Sequence, residues 1–357
     1  MPGTWLISLI LFLSLAIAPA TGPAAGRRHE IQLRRNDYAV VAAPDRLQAA
    51  GFSKAILRVF SDDESKGGLY FASGLFPVVR PVLDQWAGAY SGKQVPLWAW
   101  MGVRKFAWLD DPRLLDRKWS AGALHPIPKL DLFNPQAQEL IVKLFGQLAR
   151  QQVQGILIQD DLTILLGEGH SNWGKASFSR ATGFAADPRF IFEGKRTVRS
   201  LAWEDLRVRQ VAGTLKRIVS ACREANPAIQ VGMNVHYEAP FSPGWARNWY
   251  AFDAAAVKEA GVDLYYLMAY HRQMKAERKL NEEANRIYFR ATLDSALLLW
   301  GSKLVVKLQV RDWQNSELIP FEELKNYYDL IPAGVERVCF AAADPEDIDM
   351  ISRIIGK

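Results

Sequence analysis

Carboxylates interleaved with aromatic side chains recur in this sequence at the ends of short apolar runs. The plainest case is Val153-Gln-Gly-Ile-Leu-Ile-Gln-Asp-Asp161, which reads as a buried parallel strand closing on two adjacent acids. Comparable strand-end positions carry Asp62 and Asp63, Trp98 and Trp100, Asn234 with His236 and Tyr237, Tyr270 and His271, Gln309 with Asp312 and Trp313, and Asp344. Sugar chemistry needs such a mixture. A carboxylic acid protonates the leaving glycosidic oxygen, a partner carboxylate stabilises the oxocarbenium-like centre or activates water, and indole faces stack on pyranose rings. Asp160 and Asp161 are the catalytic candidates. Asp62, Asp63, Trp98, Trp100, Asn234, Tyr237, Tyr270, Gln309, Trp313 and Asp344 are candidates for substrate binding.

The same residues have structural readings. An Asp-Asp pair after a strand can cap a helix or hold a loop. Trp98 and Trp100, two apart on one strand, share a face and can fill a barrel interior. His236 and His271 lack the spacing of a metal motif and read as satisfied or surface histidines, so neither a metal nor another cofactor is expected. Gly169-His-Ser-Asn-Trp-Gly-Lys175 matches most of a phosphate-loop pattern, but Ala176 follows where a hydroxyl must hold magnesium, and it reads as a chance match. No G-x-S-x-G elbow and no Cys/His pairing supports serine or cysteine hydrolysis.

The elements that must position these groups alternate. Strand-like runs cover Tyr38–Ala42, Ala55–Phe60, Pro96–Met101, Gly155–Gln159, Ile229–Asn234, Asp263–Ala269, Lys303–Val310 and Arg337–Ala342. Helical patterns lie between them at Val78–Tyr90, Pro135–Gln152, Glu204–Ala225, Trp249–Ala260, Glu282–Trp300 and Phe321–Leu330. Parallel βα units in this number predict an α/β fold of the (β/α)8 TIM-barrel type. Tyr38–Ala42 is the weakest strand, and without it the barrel has seven strands and is incomplete. Long irregular insertions, Val103–Phe133 and Leu162–Leu201, follow two strands and, with Asn234–Asn248, wall a cleft at the carboxyl face.

Residues 1–20 read as a signal peptide, with an apolar run of about 13 residues, short of the ~20 a spanning helix needs, and a small-residue cut at Ala18-Pro-Ala20. Residues 21–37 read as a linker and polar lead-in, and 38–357 as the barrel. The expected location is periplasmic or secreted, with membrane contact only if the signal stays uncleaved. In 357 residues, 49% hydrophobic and 23% charged, the expectation is globular rather than disordered. The net charge of +6 is spread along the chain without a nucleic-acid motif, so no nucleic-acid partner is expected. Cys222 and Cys339 are the two cysteines, which rules out a disulfide framework.

Taken in order, the strand-end motifs resemble the C-terminal glycoside hydrolase domain of the periplasmic poly-β-1,6-N-acetyl-D-glucosamine N-deacetylase, a barrel grouped with hypothetical glycosyl hydrolases. The segments that carry the resemblance are Ala55-Ile-Leu-Arg-Val-Phe-Ser-Asp-Asp63, Leu69-Tyr-Phe71, Leu75-Phe-Pro77, Val95-Pro-Leu-Trp-Ala-Trp-Met101, Gly155-Ile-Leu-Ile-Gln-Asp-Asp161, Leu308-Gln-Val-Arg-Asp-Trp-Gln314 and Val335-Glu-Arg-Val-Cys-Phe340. It spans roughly Leu47 to the end of the chain. What it implies is an exported, endo-acting glycosidase that cleaves partially de-N-acetylated poly-N-acetylglucosamine of a biofilm matrix, with the export machinery of that polymer as a partner. The stretch before Leu47 leaves no room for a deacetylase domain, so deacetylation is not expected.

The chain departs from the family at three points. Gln159 stands where the family has His, Arg58 where it has Gln, and Leu165–His170 keeps only Glu168 of an acidic run. Asp160 is then the acid or acid/base, Asp161 or Glu168 its partner, and Trp98, Trp100 and Trp313 the stacking faces. A partially deacetylated polymer is cationic, so a locally acidic cleft is expected, with Asp62, Asp63 and Asp344 as its source. A non-catalytic polysaccharide-binding barrel is the alternative from another class, and a glycosidase of a different glycan is a third.

Overall fold

The structure, a computed structural model, describes residues 26–34, 43–61, 67–106, 108–191 and 196–357. Eight parallel strands close into a barrel: β1 (Arg28–Leu33), β2 (Phe52–Arg58), β3 (Leu97–Met101), β4 (Gly155–Ile158), β5 (Gln230–His236), β6 (Leu264–Met268), β7 (Leu304–Gln309) and β8 (Arg337–Ala343). Each strand is followed by a helix of the outer ring: α1 (Pro44–Ala49), α2 (Leu83–Tyr90), α3 (Pro135–Ala149), α4 (Val198–Ala225), α5 (Ala254–Glu259), α6 (Glu282–Trp300), α7 (Phe321–Asp329) and α8 (Ile348–Ile354). The (β/α)8 expectation holds, in its complete form.

One boundary is corrected. The first strand is Arg28–Leu33, inside the stretch read as a linker and lead-in, while Tyr38–Ala42 and residues 1–20 lie outside the described residues. In β1, Ile31 and Leu33 join the main apolar core, whereas Glu30 and Gln32, at the alternate positions, are buried polar side chains. A strand whose interior face is polar has no apolar run to announce it.

The interior explains that polarity. Trp98 of β3 fills the barrel centre, and Gly155 and Gly232 on the next two strands make room: a Cβ on Gly155 would stand 2.2 Å from the indole, and one on Gly232 3.1 Å. Beside Trp98, the Lys54 ammonium pairs with Glu30 at 2.9 Å and donates to the Tyr266 hydroxyl at 3.0 Å. The Tyr266 hydroxyl in turn donates to Glu30 at 2.7 Å, and the ammonium lies 3.7 Å from the Trp98 ring centroid. Each buried polar atom of the trio finds a partner, so the plug is polar without being orphaned.

The insertions are more regular than their composition suggests. After β3 the chain forms an antiparallel hairpin, Leu115–Ser120 with Ala123–Leu130. After β4 it forms the helix Asn172–Thr182, capped by the Ser171 hydroxyl, before a Thr197–Ser200 capping box starts α4 six residues ahead of the expected Glu204. The phosphate-loop look-alike is packing: a Cβ on Gly174 would meet the Gly169 carbonyl oxygen at 1.8 Å. The pattern at Trp249–Ala260 is broken by Ala251 at φ 58°, which ends the helix Pro243–Tyr250 before Asp253 caps α5. Among the described residues no helix is long and apolar enough to cross a membrane, and both cysteines are buried and free.

Candidate active site

The carboxyl ends of the strands form the mouth of the barrel. β4 ends at Ile158, which leaves Asp160 half-buried at the rim, its carboxylate accepting no hydrogen bond among the described residues. Its charge acts on Tyr270, at the end of β6, and on Lys307 of β7. The period of two along the strands sets Gln32, Arg58, Trp100, Gln159, Asn234 and Gln309 on the inward face at these ends. The Lys307 ammonium donates to Asn234 Oδ1 at 2.7 Å. Gln32 Oε1, Gln159 Oε1, Gln309 Oε1 and the Trp100 Nε1 are buried and find no protein partner among the described residues. Buried polar atoms are normally satisfied, so this cluster marks where a hydroxyl-rich ligand or water belongs.

The two Asp neighbours do different work. The Asp161 carboxylate accepts the backbone N–H of Val103 at 3.0 Å, of Arg104 at 2.7 Å and of Lys105 at 2.8 Å. Burial raises its carboxyl above the ordinary range while the three amides pull it back. It is a clamp on the loop after β3, with Oδ2 accepting all three amides and Oδ1 sharing that of Val103.

Glu168 is likewise occupied. It is buried in ion pairs with Arg104 at 2.9 Å and Lys129 at 2.7 Å, and accepts the Leu165 N–H at 3.1 Å. Burial works against its ionisation, but the two cations outweigh it and hold the carboxyl below its ordinary range. Arg104, fully buried, also pairs with Asp116 at 2.7 Å and donates to the carbonyls of Leu130 and Thr163. This cluster ties the hairpin to the loop after β4 and does not reach the mouth as a free acid.

Other candidates divide in the same way. Trp98 is the interior plug, 1% exposed, and offers no face to a sugar. Trp100 sits in the mouth beneath Arg58, whose guanidinium carbon is 5.6 Å from the ring centroid. Tyr237 points outward: its hydroxyl donates to Glu277 at 2.7 Å, and its ring packs edge-on against Tyr288 of α6. Asp344 is buried between Arg34 at 2.6 Å and Arg311 at 3.1 Å. Trp313 is 48% exposed after β7. Asp160, Trp100, Asn234, Tyr270 and Gln309 lie at the carboxyl ends of the strands, whereas Asp161 and Glu168 are engaged in loop contacts, Trp98 fills the interior, Tyr237 bonds to Glu277 and Asp344 is ion-paired. Of the acids expected to make the cleft acidic, Asp62 and Asp63 lie outside the described residues.

Sequence reasoning passed over Lys307, although a lysine two residues before Gln309 in an otherwise apolar strand was a visible signal. It also passed over Trp245 and Trp249, 44% and 39% exposed, whose rings stack at 5.3 Å on the helix Pro243–Tyr250. That helix borders the mouth through Tyr250, which stacks on His236 at 4.0 Å, and through the Trp249 carbonyl, which accepts the Leu166 N–H at 3.0 Å. His271 is buried against Glu323 at 2.8 Å, in line with its structural reading.

The sequence model of hypothetical glycosyl hydrolase family 13 matches residues 32–340. The chain belongs to that family. Among solved structures, the PgaB (BpsB) glycoside hydrolase domain from Bordetella bronchiseptica superimposes with a TM-score of 0.73 at 18% identity, over 92% of this chain and 95% of that one. The β-galactosidase of Rahnella sp. R3 gives 0.61 at 15% identity over 88% of this chain, and that of Halorubrum lacusprofundi 0.60 at 12% identity over 92%. The chain spans only 50% and 57% of those two enzymes. At such identities the likeness is one of fold. No curated protein matches the chain in sequence. Membership of a hypothetical glycosyl hydrolase family supports a glycosidase activity for this chain.

Proposed function

We propose that this protein is an exported, endo-acting glycosidase that cleaves a β-linked exopolysaccharide of the poly-N-acetylglucosamine type, with Asp160 as the acid/base group at the scissile oxygen. The observation that carries this reading is the mouth itself, where, among the described residues, the Asp160 carboxylate accepts no hydrogen bond and four buried polar atoms of the strand ends find no partner. Sugar hydroxyls supply both donors and acceptors for such a ring. The exposed Trp245–Trp249 stack and Trp313 offer faces for neighbouring pyranoses along the chain. Asp62 and Asp63, just beyond β2, are the remaining candidates for the partner carboxylate.

The finer substrate, β-1,6-linked and partially de-N-acetylated poly-N-acetylglucosamine, is supported by the strand-end motifs. The supporting experiment is digestion of that polymer at graded degrees of acetylation, with products sized by mass spectrometry. No shortening at any degree refutes the substrate. Export to the periplasm or medium, through cleavage after Ala20, is supported by the apolar segment and the small residues that follow. Amino-terminal sequencing of the exported protein should begin at Thr21; a start at Met1 refutes cleavage. The second reading, a non-catalytic polysaccharide-binding barrel, is favoured by the engagement of Asp161 and Glu168, and predicts binding without shortening.

A further inference from the structure

The inward face of β5 ends in a histidine. Val231, Met233 and Val235 pack into the main apolar core, and the Tyr237 hydroxyl reaches outward to Glu277 at 2.7 Å. The alternate positions point in: a Cβ on Gly232 would stand 3.1 Å from the Trp98 indole, and Asn234 accepts the Lys307 ammonium at 2.7 Å. The period of two then sets His236, half-buried at the last position of β5, on the inward face one layer above Asn234. Ile158 of β4 pairs with Met233, so Asp160 and His236 follow that pair on neighbouring strands, by two and three residues.

The imidazole is held flat and left unbonded. Its ring lies 4.0 Å from that of Tyr250, with 3° between the planes. The Tyr250 hydroxyl donates to Glu238 at 3.2 Å, and Glu238, 3% exposed, pairs with Arg278 at 3.5 Å. Arg207 ties the same helix down: its guanidinium donates to the Asn248 carbonyl at 2.8 Å and to that of Ile164, in the loop after Asp160 and Asp161, at 2.9 Å. One face of the imidazole is thus backed by a ring anchored through its hydroxyl and its backbone. The two imidazole nitrogens make no hydrogen bond among the described residues. Structural histidines of this barrel spend theirs on protein groups, His29 on the Tyr328 hydroxyl and His271 on Glu323, each at 2.8 Å.

We infer that His236 is a substrate-contacting residue: its imidazole edge, fixed by Tyr250, hydrogen-bonds a hydroxyl of the sugar seated in the mouth. A histidine ring offers N–H donors and, when uncharged, one acceptor nitrogen, and a sugar hydroxyl answers either. His236 joins the unpartnered side-chain atoms of Gln32, Gln159, Gln309 and Trp100 as a polar contact at the same end of the barrel. The inference rests on the part of the proposed function in which the mouth takes a glycan, and it holds whether or not that glycan is cut.

The test measures, by calorimetry, binding of partially de-N-acetylated β-1,6-linked N-acetylglucosamine oligosaccharides to Asp160→Asn alone and combined with His236→Phe or His236→Gln, so that nothing is consumed. Wild type is assayed for shortening of the polymer alongside. Phenylalanine keeps a flat ring on Tyr250 and removes both nitrogens, so melting should move by no more than roughly 2 °C, while affinity falls roughly five- to tenfold. Glutamine restores a donor and an acceptor and should recover part of that loss, which a ring kept only for packing would not allow. Nitrogen NMR of the imidazoles reads the contact itself: of the five histidines, the one whose signal is missing from His236→Phe should move most when the glycan is added. Unchanged affinity in His236→Phe, or a His236 signal that stays still while the glycan binds, overturns the inference and leaves the glycosidase reading standing. Weaker binding in His236→Phe, with no shortening by wild type, supports the inference and sinks the glycosidase reading. A protein that neither binds nor cuts the glycan overturns both.

Discussion

Removing the Asp161 side chain should unfold the loop after β3 rather than disable chemistry, and the size of the effect follows from its three acceptors. The amides of Val103 and Arg104 are buried, and both donate to this carboxylate, at 3.0 and 2.7 Å. Lys105 is exposed, so its amide can turn to water. A hydrogen bond to a charged group is worth about 1.5–3 kcal/mol, and a stranded buried donor costs its own desolvation. Two stranded amides, counted without full additivity, put Asp161→Ala at ~3–5 kcal/mol. Asp160→Asn breaks no hydrogen bond and should stay within ~0.5 kcal/mol of wild type. Urea unfolding at pH 7, followed by tryptophan fluorescence, measures both. Equal stability of the two variants, or an Asp161→Ala protein as stable as wild type, would refute the division of labour between these neighbours.

Three further outcomes follow from the interior. Gly155→Ala puts a methyl 2.2 Å from the Trp98 ring, and because the indole is held on the far side by Tyr266 it should cost at least the ~3 kcal/mol at the upper end of ordinary overpacking; soluble yield and circular dichroism will show it. Lys54→Met leaves Glu30 buried without its cation and should cost ~3–5 kcal/mol, most of it regained in Lys54→Met with Glu30→Leu, as read by urea midpoints. His170 is held neutral, its pKa lowered to about 3 by burial and by Arg207 and Lys175. A depressed histidine contributes stability that is present above ~6.5 and lost as pH falls, about 2 kcal/mol by pH 5, and His170→Phe should flatten that loss between pH 7 and 5.

The alternation of apolar strands with amphipathic helices made the barrel legible, and Glu282–Trp300 was readable to the residue because Asn281 caps it and Gly301 ends it. β1 escaped because its core-facing pattern is inverted: Glu30 and Gln32 point to a polar interior that exists only once Lys54 arrives from the next strand and Tyr266 from β6, 236 residues on. The same physics governs the site. Asp160 and Asp161 are indistinguishable as letters, and what separates them is a loop some 57 residues earlier folding its amides onto one of them. Glu168 looked free until Arg104 and Lys129 closed on it. Trp98 and Trp100 share a face, as their spacing requires, but depth decides that one fills the barrel and the other lines its mouth.

The claim that Asp160 acts on a glycosidic bond is tested most directly by sizing the products of partially de-N-acetylated poly-β-1,6-N-acetylglucosamine after incubation with wild type and with Asp160→Asn. The account predicts shortened oligosaccharides from wild type and a rate lower by roughly a hundredfold or more from a variant that is equally stable and still binds the polymer. Equal shortening by both proteins, or binding without shortening by both, would contradict it.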